Sequence, residues 1–321
     1  MNGNNHLKYI LLPYGNRKTI SPMFVVGHLV VAGYTPKRAF DAAERIIEDI
    51  PDDGISEADF FGHIIRHIPA IARTRFVTLE LMKKFFVSPR ARGPLFVFLG
   101  GFTGKTFLST YIQQHLGINR VTALDEEKYI VKQRNPDAEH LKKATYEAPD
   151  VYEKTVESFY PRMLERMEEH LHDYSMHKKW VYFWEGIYIY PSIVDRLKEA
   201  HPSIYNLTIV LLPDIEEIKR RYKLRWMSEF GASYMRDNAS TIEQYLKNVE
   251  HIKDVIMDGA TSDNCLVISD DMFENVLREF YDKLLWRLDG IAEKNGITPW
   301  IANVVEDPTE IVNYETFLER P

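Results

Sequence analysis

Leu95-Phe96-Val97-Phe98-Leu99-Gly100-Gly101-Phe102-Thr103-Gly104-Lys105-Thr106 is the stretch on which the reading of this chain turns. The unbroken apolar run from Leu95 to Leu99 suits a strand buried on both faces, as in a parallel sheet covered by helices. The glycines after it suit a tight turn, and Lys105 to Leu116 has the composition of a helix. A strand, a glycine turn and a helix in that order gather backbone N–H groups at the positive end of a helix, which favours an anion there.

Gly104-Lys105-Thr106 adds a cation and a hydroxyl at the head of that helix. In a phosphate-binding loop (P-loop) the lysine reaches the β and γ phosphates of ATP and the hydroxyl ligates Mg²⁺. The usual spacing asks for a glycine at position 99, where this chain has Leu99; counted from Gly100 the loop is one residue short. Gly100, Gly101, Thr103, Gly104, Lys105 and Thr106 are the candidate nucleotide-binding residues. A plain glycine turn with no ligand accounts for the same letters. A cleft lysine supports few packing contacts, so replacing Lys105 is expected to spare the fold.

Downstream, apolar runs recur at Val121–Leu124, Trp180–Trp184, Leu207–Leu212 and Cys265–Ile268. Helical stretches separate them, notably about 149–176 and from Met272 onward. Alternating strands and helices imply crossover connections and a mostly parallel α/β sheet, with ligands beyond the carboxyl ends of the strands. Asp125 follows the first of these runs and Glu185 the second. One carboxylate there can accept the proton of an attacking hydroxyl, and the other can hold Mg²⁺ and face the substrate. Asp125 reads equally as the N-cap of a helix beginning at Glu126. Arg220, Arg221, Arg225 and Arg236 cluster after the Leu207 run. Arg221 and Arg225 share a helix face and suit catalysis on a phosphoryl group, and Arg225 and Arg236 suit substrate binding. The competing reading is a solvated helix with pairs such as Glu217–Arg221.

Upstream, residues 8–12 suit a short strand closed by a turn at Pro13-Tyr14-Gly15-Asn16. Ser21-Pro22 and Thr35-Pro36 each place a hydroxyl at a helix N-cap and a proline at the first helical position. Gly33 ends the first helix, Ser56 with Asp59 opens a third that reaches His67, and Phe76 to Val87 forms a fourth. The prolines, glycine and arginines of Ser88–Pro94 mark a linker. The expected organisation is a helical domain over 1–88, an α/β domain over 89–290 and an extension over 291–321. His63 and His67 lack a third ligand, and His170, His172 and His177 read as solvent-facing.

Composition narrows the class. A net charge of −7 argues against a general nucleic-acid or anionic-membrane binder, and the dispersed aromatics are not interleaved with basic residues. Cys265 is the only cysteine, which excludes an internal disulfide and fits a reducing compartment. No apolar run approaches the ~20 residues of a membrane span, so a cytoplasmic protein is expected.

These residues resemble a family. Phe96 to Gly101 running into Thr103–Thr106, then Leu116-Gly117-Ile118-Asn119-Arg120-Val121 and Asp125, are similar to the archaeal-type 2-phosphoglycerate kinases. Trp184-Glu185-Gly186-Ile187-Tyr188 resembles that family's Glu-Gly strand end. Arg221-Tyr222, Arg225 and Arg236, with Tyr245–Asn248 and Ile252-Lys253, resemble its arginine-rich lid and the helix after it. Ala32-Gly33-Tyr34 and Arg38-Ala39-Phe40 resemble the ATP-cone-like domain ahead of the kinase. The likeness spans about residues 8–287. It implies a P-loop kinase fold preceded by a small helical ATP-cone-like domain, and transfer of phosphate from ATP, with Mg²⁺, to 2-phosphoglycerate. Asp125 is then the base and the arginines meet the substrate's phosphate and carboxylate. The expected partners are ATP and the small-molecule substrate, with a homo-oligomer left open. Two alternatives stand beside it: the same loop serving a nucleoside, sugar or nucleic-acid hydroxyl, or a degenerate loop in a nucleotide-sensing module.

Overall fold

The computed structural model describes residues 8–11, 16–102, 104–118, 121–143, 145–147, 149–260 and 265–319. The expected turn residues Pro13, Tyr14 and Gly15, the candidate nucleotide ligand Thr103, and Arg120 lie outside them. The chain divides into two compact units, one of Met1–Ala91, Thr110–Asn119 and Tyr281–Pro321, the other of Arg92–Ser109 and Arg120–Phe280.

In the first unit β1 (Tyr9–Leu11) pairs antiparallel with β2 (Arg17–Thr19) and parallel with β3 (Ile55–Ser56). Four helices follow the expected order: α1 (Pro22–Val31), α2 (Pro36–Glu48), α3 (Glu57–His67) and α4 (Ala70–Val87). Ser21 and Thr35 hold the N-cap positions before their prolines, but neither side chain caps. Ser56 does cap, accepting the Asp59 N–H at 3.1 Å. The fourth helix starts at Ala70 and not at Phe76, because its first turns carry Arg73 and Arg75, which hide the apolar period. Arg75 is held by the Val31 carbonyl at 3.2 Å and by Asp282 at 2.6 Å. His63 is held to the Ile46 carbonyl at 2.8 Å.

The second unit is built on a sheet of order β5-β6-β4-β7-β8, every pair parallel. Its strands are β4 (Leu95–Gly101), β5 (Val121–Ala123), β6 (Val181–Glu185), β7 (Tyr205–Leu211) and β8 (Leu266–Ile268). The α/β class with a parallel sheet is therefore as the sequence implied. β4 is buried along its whole length, as its apolar run requires. Connecting helices are α5 (Lys105–Leu116), α6 (Leu124–Arg134), α7 (Tyr152–His177), α8 (Pro191–Ala200), α9 (Ile215–Asp237) and α10 (Ala239–Gly259). Gly231, at φ 82°, breaks α9 into two helical runs. His170 corrects one expectation: it is half-buried, stacked on Tyr182 at 4.5 Å and bonded to the Thr122 hydroxyl at 3.0 Å.

Three further helices end the chain: α11 (Phe273–Lys294), α12 (Thr298–Glu306) and α13 (Glu310–Glu319). In the first unit α12 and α13 both pack on α4, burying Ile301, Val304, Tyr314 and Leu318. Among the described residues no helix is long and apolar enough to cross a membrane.

The strand order fixes where a ligand belongs. β4 sits at the centre, and the chain leaves it toward β5 on one side and lies beside β7 on the other. The crevice beyond the carboxyl end of such a strand is the usual ligand position in open α/β sheets. Leu99 and Ala123 are both in register with Glu185, so β4, β5 and β6 end at one level.

Candidate active site

At the carboxyl end of β4 the backbone is tightly enclosed. A Cβ on Gly100 would stand 2.7 Å from the Ile189 carbonyl oxygen, and one on Gly101 would stand 2.1 Å from that of Leu211. Gly101 also has φ 99°, a region that L side chains avoid. The Phe102 N–H donates to the Leu211 carbonyl at 3.3 Å. Packing against β7 and the Ile189 segment thus accounts for both glycines. Gly104 is exposed, and α5 begins directly after it at Lys105.

Lys105 opens α5 and is buried. Its ammonium donates to the carbonyls of Gly101 at 2.9 Å and Phe102 at 2.5 Å, closing the turn from beneath. The expectation that this lysine carries little structure is corrected: it ties the turn together. Burial pulls its pKa down, while Asp125 and Glu185 pull it back up and Arg225 lowers it. One cation, two carboxylates and a guanidinium are therefore within electrostatic reach of one another.

Glu185 ends β6 and is buried. Its Oε1 accepts the Thr106 hydroxyl at 3.2 Å, and its Oε2 has no hydrogen-bond partner among the described residues. Burial pushes this carboxyl up, against Ser109, Lys105 and Thr106, which hold it down. A buried carboxylate oxygen without a donor, beside a threonine hydroxyl, is a hard oxygen pair that fits Mg²⁺, whose other positions phosphate and water commonly fill. Among the described residues no group of three or more His, Cys, Asp or Glu could hold a metal by itself.

Asp125 is not a helix cap. β5 stops at Ala123 and α6 starts at Leu124, so Asp125 lies in the first helical turn, exposed. A Cβ on Gly186 would stand 2.8 Å from that of Leu124, so the glycine after Glu185 lets α6 approach the end of β6. Glu127, buried on the same helix, accepts from Arg162 and Arg166 of α7, each at 2.7 Å. That clamp fixes the rotation of α6.

Two cavities flank the head of α5. The larger, about 270 Å³, is lined by Lys105, Asp125, Lys128, Arg225 and Glu229 among its charged groups. Phe102, Tyr146, Tyr188, Tyr222 and Trp226 supply its aromatic walls. The smaller, about 150 Å³, has Phe107, Leu108, Pro213, Phe273 and Val276 as apolar lining, with Gly104, Arg221 and the pair Asp270 and Asp271. Lys105 and Gly104 are adjacent in sequence, so the turn stands between the two.

α9 delivers the arginines. Asp214 caps it by accepting the Glu216 N–H at 2.8 Å. Arg221 bonds Glu217 at 2.6 Å, as the solvated-helix reading expected, yet it also donates to the Asp271 carbonyl at 2.6 Å and faces the smaller cavity. Arg225 bonds Glu229 at 2.7 Å and lines the larger one. Arg236 lies beyond the break at Gly231, exposed, with Ser233 and Asp237 as neighbours, and it lines neither cavity. The sequence reading gave Lys128 and Trp226 no role of their own, and Tyr222 entered it only through the resemblance of the arginine-rich stretch. Their signal was helical spacing: Lys128 is one turn from Asp125, and Trp226 one turn from Tyr222.

No protein-family model matches the chain. The 2-phosphoglycerate kinase of Methanopyrus kandleri is 22% identical over 278 residues, covering 80% of this chain and 82% of that protein. The relationship is distant. It supports a phosphotransferase, and at that identity it does not carry the substrate across.

Proposed function

We propose that this protein transfers the γ-phosphoryl group of ATP to a hydroxyl of a small acceptor. The convergence of Lys105, Asp125 and Glu185 at the head of α5 carries this reading, supported by the distant kinase relative. The base of the nucleotide takes the smaller, apolar cavity beside Arg221, and its phosphates cross the N-terminus of α5 to Lys105. The acceptor takes the larger cavity. Asp125 accepts the acceptor's hydroxyl proton as that oxygen bonds to the γ-phosphorus and the bond to the β–γ bridging oxygen breaks, releasing ADP. Lys105 and Arg225 meet charge on the transferred group, and Arg221 holds the nucleotide side. Thr106 and Glu185 would hold Mg²⁺, which when bound neutralises phosphate charge.

The acceptor in the relative's name, 2-phosphoglycerate, is the first to test. The measurement is acceptor-dependent ADP release with ATP and Mg²⁺, in the wild type and in Lys105→Met. Release that requires both acceptor and lysine supports the reading, whereas release unchanged in the variant removes this turn from the chemistry. A second reading, a nucleotide sensor without transfer, is favoured by the Phe102 N–H being committed to Leu211. In that case ATP binds and no acceptor accelerates ADP release. The N-terminal helices, proposed to be ATP-cone-like by resemblance, have no part in the transfer.

A further inference from the structure

We infer that the acceptor is a hydroxyl compound built on a flat aromatic or heteroaromatic ring and carrying one anionic group. This deepens the phosphotransferase reading and rests on it.

The walls of the larger cavity are the first ground. Tyr146, Tyr222 and Trp226 contact one another with ring centroids 5.4 to 6.3 Å apart. Tyr245 backs Tyr146 at 5.0 Å and Trp226 at 6.1 Å, and Ile242 and Leu246 pack behind Trp226. Tyr188 is itself stacked on Phe159 at 4.1 Å. These rings are fixed by their own packing, so a ligand ring meets a surface that loses little further freedom on binding. Contact between rings adds to what burial of their area alone provides.

Charge is the second ground. Of the cations lining this cavity, Lys105 serves the transferred phosphate and Arg225 is paired with Glu229. Among the described residues Lys128 is the lining cation that remains for the acceptor, its Nζ donating to the Lys143 carbonyl at 2.8 Å and standing 5.9 Å from the Tyr188 ring. One cation matches one anionic group. A compact polyanion such as 2-phosphoglycerate brings a phosphate and a carboxylate to that single cation, and sets its remaining oxygens against aromatic walls, a costly burial. The reaction keeps the bond changes given above, with the proton of the ring compound's hydroxyl passing to Asp125.

Ring-bearing probes (4-hydroxyphenyllactate and cytidine 3′-monophosphate) are compared with ringless ones (glycerate and 2-phosphoglycerate). Calorimetric titration reads binding in the presence of a non-hydrolysable ATP analogue, and ADP release reads turnover. The expectation is that a ring-bearing probe binds at least ~10-fold tighter than either ringless one, that Trp226→Leu removes this advantage, and that Trp226→Phe restores it. The KM for ATP stays unmoved in both variants, which a merely structural role of Trp226 would not allow. If ringless compounds bind equally well or better, or no ring-bearing probe gives a saturable heat, the inference is overturned while the kinase reading survives. Absence of ATP binding by the wild type overturns both.

Discussion

Lys105 combines two tasks that conflict. Its ammonium is buried and closes the turn through the Gly101 and Phe102 carbonyls, yet in the proposed transfer it is also the cation offered to phosphate. Lys105→Met is expected to lower kcat/KM by ~10³-fold or more, the scale on which electrostatic stabilisation of phosphoryl transfer acts. It should also lower the melting temperature measurably, because two buried carbonyls lose their donor. Steady-state kinetics with a thermal melt separates the two effects. Among the described residues Asp125, exposed in the first turn of α6, makes no hydrogen bond or ion pair that holds the fold. Asp125→Asn should therefore lower kcat by ~10²–10⁴-fold at unchanged thermal stability and unchanged KM for ATP. A variant with wild-type kcat would return Asp125 to a surface role.

At the scale of elements, the end of β4 has no room for a side chain at Gly101. Gly101→Ala combines positive φ with a 2.1 Å approach to the Leu211 oxygen. It is expected to cost about 3 kcal/mol or more, read by denaturant unfolding, since neither a strand end nor a carbonyl yields cheaply. The parallel sheet was legible because buried strands are unbroken apolar runs and their helices have a clear period. The positions of Asp125 and Glu185 were legible for the same reason, as each follows such a run. What escaped was set by partners distant in sequence. Gly100 and Gly101 read as phosphate ligands by motif, and the approach of Leu211 and Ile189 that demands them is visible only in space. The aromatic wall was hidden because Tyr146 lies in a single turn of 3-10 helix without periodicity, while Tyr222 and Trp226 stand among arginines on α9. Helical spacing relates Arg225 to Arg236 only if α9 is continuous, and the break at Gly231 removes that relation.

At the scale of the molecule, each unit has its own core and its own weakness. In the helical unit Glu80 is buried: burial pushes its carboxyl up, but Lys83 and His28 outweigh this and hold it well below the usual range. His115 is buried beside Tyr281, whose hydroxyl lies 2.7 Å from its Nδ1. Burial, aided by His28, lowers its pKa to about 4. The folded state therefore keeps His115 neutral while the unfolded state takes up a proton below about pH 6.5, so stability falls as pH drops from there toward 4. His115→Gln should flatten the slope of unfolding free energy between about pH 6.5 and 5, a window above the range where ordinary carboxylates titrate. An unchanged slope would show that His115 is protonated in the fold. The terminal helices α12 and α13 cover α4, so a chain ending at Gly296 is expected to be less stable and more prone to aggregate in size-exclusion chromatography. Val304→Asp should mimic part of that loss, since Val304 is fully buried.

The most direct test of the central claim is calorimetric titration of the protein with a non-hydrolysable ATP analogue, with and without Mg²⁺. Saturable heat that strengthens with Mg²⁺ and disappears in Lys105→Met is the predicted result. Heat that is absent in the wild type, or unchanged in the variant, would contradict it.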